Sequence, residues 1–206
     1  MRAHYYKGRE KMSHTDELTR QLKEYTPYNK QEARDRDAIV AFVACAGVDP
    51  YSRENLTAHL TASAWILNRE HTKVLMVYHN LYDSWSWTGG HADGERDLLR
   101  VALKEAREET GVEHIHPLFD EIFSVECLTV DGHEKRGQYV PSHIHMNVTY
   151  LLEADEKDTL HVCEGENSGV KWFALDDALK ASSEPWFVER IYKKLNDKLA
   201  GIEFAR

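Results

Sequence analysis

One stretch constrains this chain more than any other: Gly89 to Val112, GGHADGERDLLRVALKEAREETGV. Glu105, Glu108 and Glu109 stand at i, i+3 and i+4, so on a helix they fall within roughly 100° of one another. Like charges at that spacing cost roughly 0.2–0.5 kcal/mol per pair. Lys104 and Arg107 flank the cluster and offset part of that cost. Leu99, Ala102, Leu103 and Ala106 form an apolar stripe about 120° away. The pattern predicts a helix with one side packed on a sheet and carboxylates beside it. Gly89 and Gly90 precede the helix by a short loop holding a third glycine, Gly94, and Thr110-Gly111 ends it. Glycine lets a backbone approach a ligand closely. Taken alone, such an acidic run is more often a solvated face. Behind a double glycine it also suits a hard cation, because Mg²⁺ takes several oxygens at about 2.0–2.1 Å and shares them with substrate phosphates.

Before this stretch the pattern is helical, then extended. Residues 1–12 read as a tail, with Met12 an alternative start. Ser13 to Tyr25 reads as a short helix with a Ser13/Asp16 cap. A second helix is expected from Lys30 to Ala46, capped by Asn29 and Glu32, with Ile39, Phe42, Val43 and Ala46 on its apolar stripe and Gly47 after its end. A linker over DPYSREN places a boundary that divides the chain into 1–57, a tail and helical extension, and 58–206, the main domain. His59 to Leu67 and Lys73 to His79 read as strands. After the central helix, strands are expected at Glu121–Val130, Ser142–Leu152 and GVKWF. Helices then follow at Asp176–Lys180 and Pro185–Leu199, where Phe187, Ile191, Leu195 and Leu199 repeat every four residues. This order implies a mixed α/β (α+β) domain with helices covering a sheet.

Charge and cysteine content narrow the function. The net charge of −9 disfavours nonspecific nucleic-acid and acidic-membrane binding. It allows a phosphorylated small molecule if a cation reverses the local sign. Cys45, Cys127 and Cys163 are scattered, and no CxxC occurs, which points to reduced thiols and a cytoplasmic protein. No apolar run has signal-peptide or membrane-helix character.

The stretch resembles a Nudix box, whose usual form is a glycine, five residues, a glutamate, seven residues, then R-E-U-x-E-E-x-G-U with U a bulky aliphatic. Lys104 to Val112 fits the second half, with Lys104 in place of the arginine and Ala106 in place of the aliphatic. The first half is one residue short. Counting back from Lys104 puts Arg96 at the acidic position, and counting forward from Gly89 gives Glu95. The resemblance implies a Nudix-type α/β/α sandwich with a mixed sheet, over about Ala58 to Leu199. It implies Mg²⁺- or Mn²⁺-dependent hydrolysis of a diphosphate in a nucleoside diphosphate derivative. It further implies Glu105, Glu108 and Glu109 as metal ligands with the Gly89 carbonyl, and Lys104 as the group orienting Glu105. The base is Glu108 or Glu105, or else Glu166 in the loop CEGENSG. Signatures of the ADP-ribose, dinucleoside polyphosphate and NADH groups are absent, since no proline stands at Glu126–Leu128, no tyrosine at Thr129–Val130, and no SQPWPFPxS occurs.

Other residues carry two readings each. His143, His145, Asn147 and Thr149 share a strand face, either a wall of the substrate site or a half-exposed surface. H-x-H as a zinc site is disfavoured, because sequence places no third ligand. Trp85 and Trp87 stack on a base or fill the core, and His91 contacts phosphate or shapes its loop. The N-terminal helices cover a sheet edge or mediate a homodimer. Two rival functions remain: an isopentenyl-diphosphate isomerase-like enzyme on the same fold, whose cysteine before the box is missing from WSWT, and a noncatalytic nucleotide-sensing module.

Overall fold

The computed structural model describes residues 14–45, 47, 49–135 and 137–204. The tail, Met12, the Ser13 cap and Ala46 lie outside the described residues. The elements are α1 (His14–Glu24), α2 (Lys30–Val43), β1 (Ala58–Asn68), β2 (Lys73–His79), β3 (Ser84–Ser86), β4 (Thr88–His91), α3 (Leu98–Thr110), β5 (Ile115–Pro117), β6 (Ser124–Val130), β7 (His133–Lys135), β8 (Gln138–Val140), β9 (His143–Ala154), β10 (Asn167–Ala174) and α4 (Leu175–Ala181). The chain ends in α5 (Pro185–Phe187), a π-helical turn over Val188–Tyr192 and α6 (Lys193–Leu199), which follow without a break. The β7–β8 hairpin was not signalled in the sequence, since its short polar strands lack an apolar alternation.

The main sheet runs β10-β2-β1-β9-β5, with β3 on β2, β4 on β1 and β6 on β9. It is mixed: β1 and β9 are parallel, and the other pairs are antiparallel. Every residue of β1 is buried, as a central strand covered on both faces must be. Leu60, Ala62, Ala64 and Ile66 pack with Leu18, Leu22, Ile39 and Val43 of the N-terminal helices and with α3. Trp65 and Leu67 point the other way and pack with Ala178, Ile191, Tyr192, Leu195 and Leu199. The result is the expected α/β/α sandwich. A strict four-residue apolar spacing overshoots an α-helical turn by about 40° per step. The wider π-turn reduces that drift and keeps Ile191, Leu195 and Leu199 on one buried line.

The N-terminal helices are tied in by buried charge. Asn29 caps α2 by accepting from the Glu32 amide at 2.8 Å, and Glu32 accepts from the Tyr28 amide. Glu32 also accepts from Ser124 Oγ at 2.8 Å and Lys198 Nζ at 3.0 Å. Lys194 Nζ, on a side chain 3% exposed, lies 3.3 Å from Glu32 and 2.8 Å from Glu126. The network joins α2, β6 and α6 in one buried site. Removing one partner of such a buried group costs about 3–5 kcal/mol, because the rest is left uncompensated. Lys194→Ala is therefore expected to lower the free energy of urea unfolding by about that amount; a loss below ~1 kcal/mol would refute the role.

The same network predicts a pH dependence. Burial alone would raise the Glu32 carboxyl, but Lys194, Lys198 and the Tyr28 amide hold it at about 2, below the ordinary 4.5. A depressed folded value adds stability above about pH 4.5 that is lost as the pH falls toward 2. Glu32→Gln is expected to flatten that part of the stability–pH curve, measured by urea unfolding across the window.

Candidate active site

Helix α3 starts at Asp97, whose side chain accepts from the Arg100 amide at 3.1 Å, and ends at Gly111 with φ 80°. Only glycine adopts that left-handed cap without strain. The buried line of α3 is Leu98, Val101, Ala102, Ala106 and Glu109. This corrects the expected stripe, because Leu99 and Leu103 are only partly buried. Positions 98, 102 and 109 lie at i, i+4 and i+11 and so share one face. Glu109 therefore continues the apolar line instead of standing clear of it.

The three glutamates have graded environments. Glu109 is 7% exposed, and its Oε1 accepts from the Gly89 amide at 3.3 Å. Glu105 has a side chain 16% exposed, and that of Glu108 is 54% exposed. Lys104 Nζ bridges the two at 3.0 Å each. Burial pushes the Glu109 carboxyl well above the ordinary carboxylate range, the Gly89 amide opposes this, and the charges of Glu105, Glu166 and Glu108 add to it. Burial likewise raises Glu105 against the pull of Lys104.

Strand β4 brings backbone to these carboxylates. Gly90 pairs with Ala62 and Gly89 with Ser63. A Cβ on Gly90 would lie 2.5 Å from Glu105 Cδ, and one on Gly89 would lie 2.5 Å from Ser63 Oγ. Both glycines are required by close approach: one admits the Glu105 side chain, the other the adjoining strand. The loop before β10 closes the far side. Asn167, 3% exposed, donates to the Glu109 carbonyl at 2.9 Å and accepts from the Cys163 amide at 3.2 Å. Glu166 is exposed on this loop, and its charge bears on both Glu105 and Glu109.

The NUDIX domain family matches residues 57–195. The chain belongs to that family. It is 27% identical over 95 residues to an asymmetrical bis(5'-nucleosyl)-tetraphosphatase of Rattus norvegicus, covering 46% of this chain and 58% of that protein. It is 22% identical over 143 residues to a probable DHNTP pyrophosphohydrolase of Lactococcus lactis subsp. cremoris, covering 69% and 81%. Among solved structures, a Nudix hydrolase from M. smegmatis shares the fold with a TM-score of 0.50 at 15% identity, covering 72% of this chain and 89% of that one. The chain thus spans little more than half the length of the rat relative.

Within this NUDIX domain the short box loop is accommodated locally. Arg96 lies 4.6 Å over the Tyr51 ring and 3.3 Å from Asp49. Glu95 accepts from the amides of Arg96 and Asp97 at 2.8 and 3.1 Å. Asp93, at φ 48°, pairs with Arg53. Trp87 is 8% exposed and packs edge-on to Phe187 and Tyr192, which leaves its ring little surface for a ligand. Trp85 packs against Tyr78 and Phe173. His91, His143 and His145 do not converge with the carboxylates. They gather with His59 elsewhere on the sheet. His59 carries no local sequence signal of this role, because the histidines it meets lie on β4 and β9.

Asn167 supplies a test of how the loop is held. Asn167→Ala is expected to cost about 1–3 kcal/mol, the penalty for stripping partners from buried backbone groups. Hydrogen exchange at the Cys163 amide should accelerate. Unchanged protection there would show that the loop is positioned by other contacts.

Proposed function

We propose that this chain is a Mg²⁺- or Mn²⁺-dependent pyrophosphohydrolase that cleaves a diphosphate linkage in a nucleoside diphosphate derivative. The observation that carries this reading is the Glu105/Glu109 pair, raised by burial and crowding, beside the two glycines of β4. Buried carboxylates held this close suit a hard dication, whose charge offsets their repulsion and whose preferred donors are oxygens. Glu105, Glu108, Glu109 and the Gly89 carbonyl would hold the ion. A dication held there would supply activation of water and stabilisation of charge on the leaving oxygen.

The remaining roles belong to the chain's own residues. Lys104 orients Glu105 through their 3.0 Å contact and keeps Glu108 nearby. Glu166 takes the proton from water. It is exposed and its charge bears on the cluster, whereas Glu105 and Glu108 share the Lys104 cation. The names of the two curated relatives, a tetraphosphatase and a probable pyrophosphohydrolase, support a polyphosphate substrate. No cysteine stands on β3 or β4 to support isomerase chemistry.

A phosphate-release screen of nucleoside di- and polyphosphate derivatives with Mg²⁺ and Mn²⁺ tests this function. Glu109→Gln is expected to lose about 10²-fold or more in turnover, since a metal contributes several kcal/mol of charge stabilisation. Its fold should persist by circular dichroism. Glu166→Gln should lower kcat by about 10²-fold, typical of a lost general base, with metal affinity retained. Full turnover in Glu109→Gln would sink the metal assignment. A kcat loss in Glu108→Gln but not in Glu166→Gln would move the base onto the helix.

A further inference from the structure

Four histidines meet on the face of the sheet opposite α3. His59 comes from β1, His91 from β4, and His143 and His145 from β9. Each offers a ring nitrogen, and these nitrogens all lie within 4.8 Å of one another. The register brings them together: His59 pairs with His145, and His91 with Thr61 one step along the same face. Gly90 faces Glu105 on α3, so its neighbour His91 points away from the carboxylates. His59 is 4% exposed and His143 8%.

The hydrogen bonds prepare these rings for a ligand. His59 Nδ1 lies 3.1 Å from the Asn55 carbonyl, and His143 Nδ1 lies 2.8 Å from the Pro141 carbonyl. A carbonyl can only accept, so each Nδ1 carries its proton and each Nε2 keeps a lone pair. Metal-ligating histidines are oriented in this way. His59 Nε2 is buried without a partner, and the Nε2 atoms of His143 and His145 stand 3.1 Å apart. The nearby charges, Arg53 and Asp93, pair with each other.

We propose that His59, His91, His143 and His145 form a tetrahedral site for a borderline transition-metal dication, Zn²⁺ foremost, distinct from the carboxylate site on α3. Imidazole nitrogens suit Zn²⁺ and not Mg²⁺. Zn–N bonds of about 2.0–2.1 Å require nitrogens about 3.3–3.4 Å apart. The His143–His145 spacing of 3.1 Å is near that value, and the widest spacing, at most 4.8 Å, has to close by no more than about 1.5 Å. Four protein ligands close the coordination sphere, which makes the site structural. It pins β4, next to Gly89 and Gly90, to the starts of β1 and β9.

The test uses the full chain without an affinity tag, stripped with a chelator and titrated with Zn²⁺ in excess Mg²⁺. One Zn²⁺ per chain is expected by elemental analysis, with a rise in melting temperature because the ion binds the folded state. Co²⁺ in its place should give the intense visible bands of tetrahedral coordination. His145→Asn and His59→Asn should each weaken Zn²⁺ binding about tenfold or more, while Glu109→Gln retains it. No Zn²⁺ uptake overturns the site. So does equal binding by wild type and both histidine variants, or loss of binding in Glu109→Gln alone. If the histidine variants do not fold, the wild-type Co²⁺ spectrum decides, and the weak bands of an octahedral oxygen-ligated ion overturn the proposal.

Discussion

The parallel pairing of β1 with β9 is the interaction on which the rest of this structure depends. It runs in unbroken register from Ala58 opposite Ile144 to Asn68 opposite Ala154. Parallel strands cannot be joined by a tight turn, so the chain must travel far between them. Here the journey contains β2, β3, β4, α3 and β6, and so carries Gly89, Gly90 and the three glutamates of α3. β4 adds to one side of β1 and sets Gly89 and Gly90 opposite Ser63 and Ala62. β6 adds to β9 and brings Glu126 beside Asn147, which also accepts from Thr61 and Ser63. A slip of one residue would turn every one of these side chains to the opposite face.

Helix α3 puts carboxylates where a core would ordinarily have leucine. Its apolar line runs into Glu109, so one acid is sunk between helix and sheet with the Gly89 amide as its donor. The neighbouring Glu105 occupies space that a side chain on Gly90 would take. Burial raises the energy of both ionised groups. Lys104 relieves Glu105 at its edge, but Glu109 has no such cation in hydrogen-bond contact among the described residues. That imbalance is the physical basis for assigning a cation to the cluster.

The first and last described helices are drawn into the same body. α1 and α2 contribute Leu18, Leu22, Ile39 and Val43 to the core that α3 shares. Glu32 of α2 and Lys194 and Lys198 of α6 then meet across β6, with Ser124 and Glu126 between them. Helices α1 and α2 thus pack against the sheet, while the NUDIX match begins at residue 57.

Local chemistry was legible in the sequence. The Asn29 cap, the Gly111 cap, the strands β1 and β2, and the glutamate spacing on α3 are set by residues close along the chain. The face that α3 buries was not, because Leu98 and Val101 competed with Leu99 and Leu103 and only docking against β1 and β4 chose between them. The Lys194 network and the histidine cluster were equally hidden. Their members come from segments scores of residues apart, and no periodicity marks a partner on another strand. His143 and His145 were visible as H-x-H, but the missing ligands His59 and His91 lie on β1 and β4. Sequence alone determined which residues could bear chemistry. The sheet register decided which of them meet, because backbone pairing between distant strands sets which side chains share a face.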